Sequence, residues 1–122
     1  MRAWKGRSGN LQRNKVLAYL GLATRAGKSV SGEFSVEKSV RQHRAKLVIV
    51  SEDASENSKK NFRNICTYYG VPLYFLGSRE ELGLACGKEV RVSAAIEDEG
   101  LARAAVGKLK QESGIGGSKY VE

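Results

Sequence analysis

An α/β layered domain, with helices on both faces of a sheet, is the fold class this sequence predicts, and three observations predict it. Strand-length apolar runs alternate with segments whose apolar residues recur at helical spacing. One run, Lys46-Leu-Val-Ile-Val50, is continuously apolar after its first residue, as a strand covered on both faces must be. The 122 residues suffice for one hydrophobic core and are too few for two.

The elements follow in order. Residues 1–13 carry four basic side chains, no acid and no periodicity, and read as a flexible basic arm. Val16, Leu17, Leu20, Leu22 and Ala23 lay an apolar face on a helix from about Asn14, in the capping position, to Arg25, with Gly27 ending it. Lys28-Ser-Val-Ser31 is a short extended link. Gly32 then precedes a second helix reaching His43, with Phe34, Val36 and Val40 as apolar positions. After the strand at Lys46–Val50, the loop Ser51–Asn57 ends in capping residues and opens a helix to Tyr69, stopped by Gly70. Val71–Leu76 is the next strand, with Pro72 confined to its start because proline has no N–H for the ladder. Ser78 caps a short helix, Arg79–Ala85. Val90–Ile96 is a further strand and Asp98–Lys110 the last helix. Residues 14–110 are thus expected to form a single domain, and residues 111–122, with three glycines, a flexible tail.

Charge gives the first functional direction. Lys and Arg number 21 and Asp and Glu 13, a formal net charge of +8. Residues 1–63 hold 14 basic and 5 acidic side chains, whereas residues 64–122 hold 7 and 8. So uneven a basic balance on a small domain fits a polyanionic partner, nucleic acid above all. The bland alternative is a charge that only keeps the protein soluble.

Other classes fall away. No window approaches the roughly 20 apolar residues of a spanning helix. The basic start, Met1–Arg7, is followed by no apolar run, so no secretory signal is expected. Cys66 and Cys86 are too few for a disulfide scaffold or a four-cysteine zinc site and read as buried thiols in a reducing compartment. The only histidine, His43, builds neither a metal site nor a Ser/His/Asp set; beside Arg44 it suits a helix end. Glu52-Asp53 reads as a pair of capping carboxylates rather than a catalytic dyad. No enzyme activity, cofactor, metal, membrane or small-molecule substrate is expected, and a small hydrolase or nucleotide enzyme is the disfavoured reading.

Three segments, Gly32 to Val40, Ala45-Lys-Leu-Val-Ile-Val-Ser-Glu-Asp-Ala54 and Leu82-Gly-Leu-Ala-Cys-Gly-Lys-Glu-Val90, carry a resemblance, with Cys66-Thr-Tyr-Tyr-Gly-Val-Pro72 between the last two. In this order and spacing the chain resembles the L-seven-Ae/L-thirty-e superfamily of ribosomal, kink-turn RNA-binding proteins, most of all its small bacterial branch. The resemblance implies a three-layer α/β/α sandwich around a central mixed sheet of about four strands. It also implies a cytoplasmic, non-catalytic protein whose partner is RNA, ribosomal RNA first, and a site in which the helix start at Gly32 lies beside a loop of the Leu-Gly-x-Ala-x-Gly type. The residue chemistry fits that frame. Backbone N–H groups at a helix start accept phosphate oxygens, and glycine lets a backbone come close. Lys38 reaches a neighbouring phosphate, and Lys28, Arg41 and Arg44 extend the positive surface. In the loop Cys86-Gly87-Lys88-Glu89-Val90, Lys88 adds charge while Cys86 and Val90 offer packing for extruded bases. The loop at Asp53 borders the site in the same frame.

One departure bears on specificity. Many members of the family follow the glycine with x-Asn-Glu, whose polar side chains contact sheared guanines. Here Phe34 and Ser35 stand in those places, after Glu33. Phe34 neither donates nor accepts a hydrogen bond, and its residue type favours the core over base stacking. Glu33 sits one position early to substitute. A protein-interaction module that keeps the fold but has lost specific kink-turn recognition is therefore the alternative function. Tyr68 and Tyr69 read first as anchors of their helix to the sheet. Trp4, with Arg2, Lys5, Arg7 and Arg13, suits an arm that grips phosphates.

Overall fold

The predicted alternation of helix and strand is realised in the structure, a computed structural model that describes residues 7–113 and the side chains of residues 14–109. The order is α1 (Arg7–Arg25), β1 (Ser29–Ser31), α2 (Glu33–Arg41), β2 (Leu47–Val50), α3 (Glu56–Tyr69), β3 (Leu73–Phe75), α4 (Arg79–Ala85), β4 (Ser93–Ile96) and α5 (Glu99–Ser113). The strands form one sheet in the order β1-β4-β2-β3. β4 runs antiparallel to both β1 and β2, whereas β2 and β3 are parallel. The sheet is therefore mixed and four-stranded.

Side-chain alternation along the strands splits the core in two. Leu47 and Ile49 of β2, with Ala94 and Ile96 of β4, pack under Val16 and Leu20 of α1, Leu82 of α4, and Ala102 and Ala105 of α5. Val48 and Val50, with Ala95, pack under Val36 and Val40 of α2 and Phe62 and Ile65 of α3. Covering on both faces is why β2 has no polar residue and all four of its side chains are fully buried. The result is the expected three-layer sandwich. No helix among the described residues is long and apolar enough to cross a membrane.

The registers define two ends of the sheet. Ser31, Ser93, Val50 and Phe75 lie at one end; Ser29, Ile96, Leu47 and Leu73 lie at the other. Local chemistry sets the helix boundaries between them. Ser55 caps α3 by accepting from the Ser58 N–H at 3.1 Å. Ser78 and Glu81 form a reciprocal capping box at α4, at 2.9 and 3.1 Å.

Several boundaries differ from the sequence expectation. α1 begins at Arg7 rather than Asn14; Arg7–Arg13 holds no proline and shows no apolar stripe in sequence from which the helix could be read. Residues 1–6, with Trp4, and tail residues 114–122 lie outside the described residues. The Ser29–Ser31 link is a strand because it pairs with β4. β4 begins only at Ser93: the Val92 carbonyl still accepts from the Ser51 N–H at 2.8 Å, but the chain before it turns to α4, with the Arg91 N–H on the Arg79 carbonyl at 3.0 Å. Phe34 is not in the core. It is 78% exposed because it sits two residues, about 200° of helix, before the buried Val36.

Candidate nucleic-acid interface

β1 delivers the chain to Gly32, whose N–H still bonds the sheet through the Ser93 carbonyl at 3.0 Å. Gly32 then turns with φ 95° and ψ 146°, a conformation essentially reserved for glycine, and α2 begins. α3 and α4 have serine caps; α2 has no side-chain cap at all. Its first-turn N–H groups point outward at the positive end of the helix dipole, the arrangement that receives an anion.

The side chains of this first turn divide. Glu33 is tied to α3, accepting from the Ser58 hydroxyl at 3.3 Å and the Asn61 amide at 3.4 Å. Asn61 also donates to Glu37. Phe34 projects into solvent and Ser35 is half-buried. Lys38 is exposed and pairs with no carboxylate among the described residues. Its ammonium is therefore available to a ligand.

The second half of the interface is the loop between α4 and β4. It lies directly on Gly83: a Cβ added there would stand 2.6 Å from the Glu89 carbonyl oxygen and 2.7 Å from the Val90 nitrogen. The Lys88 N–H bonds the Gly83 carbonyl at 2.8 Å and the Gly87 N–H the Leu84 carbonyl at 3.1 Å, so the loop folds back on its own helix. Gly87, Lys88, Glu89 and Val90 are exposed, and Leu84 beside them is 79% exposed.

Arg91 joins the halves. Its Nε donates to the Ser31 hydroxyl at 2.9 Å, on the residue before Gly32, and its Nη1 donates to the Val90 carbonyl at 3.0 Å. Cys86 is buried beneath this joint. Burial raises its thiol pKa, while the Ser31 and Thr24 hydroxyls and the Arg91 and Lys88 charges pull it back. Cys66, on the buried face of α3, is pushed up to about 12 by burial. Both thiols are held protonated, which suits packing and not nucleophilic chemistry.

Asp53 braces the start of α4 through Arg79. Its backbone carbonyl accepts from Arg79 Nη2 at 2.9 Å and its carboxylate lies 3.6 Å from Arg79 Nε. The neighbouring Ser51 hydroxyl and then Arg79 hold its carboxyl below the usual range. The brace is therefore charged at neutral pH and is lost only as the solution turns acid.

The sequence-predicted residues do not all meet. Gly32, Glu33, Phe34 and Ser35 lie on the α2 start, Lys38 lies further along α2 in its last turn, and Cys86, Gly87, Lys88, Glu89 and Val90 lie on the facing loop. Lys28 stands at the other end of β1, where its carbonyl accepts from the Glu97 N–H at 2.8 Å. Arg41, in the last turn of α2, pairs with Glu37 at 3.5 Å, and Arg44 with Glu97 at 3.5 Å. Sequence reasoning placed Gly83 and Leu84 within the Leu-Gly-x-Ala-x-Gly segment without giving either a role of its own, and it missed Arg91, which was hidden in a strand-like run.

A mixed four-stranded sheet between helical layers, with an uncapped helix start beside a glycine-packed loop, defines a small α/β/α sandwich domain. The chain belongs to the ribosomal protein L7Ae/L30e/S12e/Gadd45 family, whose family model matches residues 14–106. It is 49% identical over 90 residues to the RNA-binding protein YlxQ of Bacillus subtilis (strain 168), a match covering 74% of this chain and 90% of that one. A solved structure of a Bacillus halodurans protein of unknown function is 38% identical, with a TM-score of 0.75 over 79% of this chain and 97% of that chain. The Giardia lamblia 15.5kD RNA binding protein is 26% identical, with a TM-score of 0.70 over 90% of this chain and 92% of that chain.

Proposed function

We propose that this protein is a non-catalytic, cytoplasmic RNA-binding protein associated with the ribosome, and that it holds a bent or structured RNA of the kink-turn kind between the α2 start and the α4–β4 loop. The observation that carries this reading is the uncapped α2 N-terminus, with Lys38 unpaired on the same helix and the Gly83-packed loop pinned next to it by Arg91. The names of the relatives support it, since both YlxQ and the Giardia protein are described as RNA-binding. Lys38, Lys88 and Arg91 supply charge to phosphates, the α2 N–H groups supply hydrogen bonds, and Phe34, Leu84 and Val90 supply apolar surface for unstacked bases.

Salt titration tests it. With three cationic contacts, affinity for a kink-turn RNA falls on a log-log plot with a slope of roughly −2 to −3. Lys38→Glu lowers affinity about tenfold or more and leaves the melting temperature unchanged, because the side chain is exposed. A flat salt response with measurable affinity refutes the phosphate contacts.

A second reading, a protein-interaction module on the same scaffold, is favoured by one observation: Phe34, 78% exposed, stands where a polar RNA contact is expected, and Leu84 across the interface exposes a second apolar side chain. Recovery of ribosomes by the protein after nuclease treatment, with no gel shift on isolated RNA, would favour that reading.

A further inference from the structure

The end of the sheet opposite Gly32 carries a second set of features that the proposed interface does not use. A hollow of about 260 Å³ is lined by His43, Lys46, Tyr69 and Pro72 among others. It shares Lys46 and Pro72 with a neighbouring groove of about 430 Å³ that runs along Ala102, Val106 and Gly107 of α5. The two adjoin in one depression across the start of β2 and β3, with Ala102, Val106 and Gly107 beside the Glu99–Arg103 ion pair on its α5 side and Lys46 between the two hollows. Lys46 is exposed and pairs with no carboxylate among the described residues. The nearby acids are engaged: Glu97 with Arg44 at 3.5 Å and the Ser39 hydroxyl at 2.6 Å, Asp98 with the Leu101 N–H at 2.8 Å, and Glu99 with Arg103 at 2.8 Å.

Aromatic rings stand at the rim. Tyr69 packs on the core and meets His43 edge-on at 5.6 Å. Tyr68 meets Tyr69 edge-on at 4.9 Å and is 81% exposed, although the sequence favoured an anchoring role for it. A helix leads from the first interface to this rim. α3 begins where Glu33 of the α2 start bonds Ser58 and Asn61, and it ends at Tyr69. From Lys59 to Tyr69 it carries Lys59, Lys60 and Arg63 and no acid, and both Lys60 and Arg63 are exposed. At 1.5 Å per residue its length is roughly 20 Å.

We propose that this depression is a second RNA contact, which takes an unpaired, single-stranded segment continuing from the RNA held at the α2 start. Tyr68 offers a face on which a base stacks, Lys46 meets the adjoining phosphate, and Lys60 guides the strand along α3, while Arg63 is stacked over the Phe75 ring at 5.2 Å. Stacking on an aromatic ring is tolerant of base identity, and cations that track the backbone add no sequence preference. This contact therefore adds affinity for single-stranded flanks without selecting their sequence. The proposal rests on the RNA-binding reading above.

The test compares a kink-turn RNA with and without a short oligouridine tail, and free oligouridine alone, on the full chain and on two variants. Wild-type protein binds the tailed RNA about tenfold more tightly than the untailed one, the scale of one stacked base. The double variant Lys46→Glu, Tyr68→Ala binds both RNAs equally, with untailed affinity unchanged; both side chains are exposed, so it also keeps its melting temperature. Free oligouridine binding is weakened by the double variant and not by Lys38→Glu, a result that stands even if no kink-turn RNA binds. A tail that adds nothing to wild-type affinity, a double variant that retains the tail's gain, or oligouridine binding that Lys38→Glu abolishes equally, overturns the proposal. The depression then falls to a protein partner or to no ligand.

Discussion

Gly32 and Gly83 stand on the two sides of the candidate interface, and each is a glycine for a different reason. Gly32 has φ 95° and ψ 146°, yet nothing lies within 4 Å of where its Cβ would be. Gly83 lies within α4, yet a Cβ there would sit 2.6 Å from the Glu89 carbonyl oxygen. The first position needs a conformation; the second needs space. One half of the candidate interface is therefore shaped by a backbone turn, the other by two backbones in contact, and neither depends on the exposed side chains around it. Such a scaffold lets Phe34, Ser35, Leu84 and Val90 vary, and with them the ligand, while the geometry stays fixed.

Gly83→Ala is the strongest way to break that contrast. Alanine gains up to about 1 kcal/mol over glycine inside a helix. A net loss of stability therefore isolates the close approach. The contact is backbone on backbone and cannot be relieved by a rotamer change, so the loss is about 3 kcal/mol, the upper part of the usual overpacking range. RNA affinity falls with it as Lys88 and Val90 are pushed off α4. Chemical denaturation and gel shifts on the same preparation check both, and a stabilised variant would show that the loop yields freely.

Gly32→Ala sharpens the other side. Forcing alanine into this region costs about 2 kcal/mol with no clash to relax. The chain relieves strain by turning the peptide, which re-aims the α2 N–H groups, so affinity falls while the loop stays in place. Amide hydrogen exchange separates the two variants: Gly32→Ala speeds exchange in the first turn of α2, and Gly83→Ala in residues 87–91. Identical exchange maps would mean that the two halves behave as one unit.

Much of this was legible in the sequence, and the illegible parts have a common cause. Lys46–Val50 announced a central strand because burial on both faces removes polar residues from it. Ser78 with Glu81 announced α4 because a capping box is local chemistry. What the sequence hid was whatever depends on a distant neighbour. Ser29–Ser31 is a strand only because β4 lies beside it. Arg91 links Ser31 to Val90 across a separation of 60 residues. Phe34 shows the limit of residue type: hydrophobicity argued for the core, while its angular position on α2 relative to Val36 and Val40 puts it in solvent. Lys28 and Arg41 show a related limit, since nearness in sequence to the α2 start did not put them at the same end of the sheet.

The smallest effect on stability is expected at Phe34 and Ser35, where the side chains rather than the backbone set what is bound. Replacing them together, Phe34→Asn with Ser35→Glu, installs the polar pair that many relatives carry after the glycine. Asn presents a donor and an acceptor to a base edge, and Glu accepts from exocyclic amines. Phe34 is 78% exposed, so the change leaves no void, and stability shifts by no more than about 0.5 kcal/mol. Ser35→Glu also adds a carboxylate to the first turn of α2, where the helix dipole favours it by a few tenths of a kcal/mol, roughly. Affinity for a consensus kink-turn rises by about 1–3 kcal/mol, the worth of a good base-specific contact, and a plain hairpin gains nothing. Both affinities and the melting temperature are measured on the same variant. A selective gain shows that the two glycines hold a kink-turn-competent geometry and that the native pair makes a weaker base-specific contact within it. A stable variant that gains no selectivity would mean that the scaffold's ligand is not a kink-turn, and the protein-interaction reading of exposed Phe34 and Leu84 would take its place.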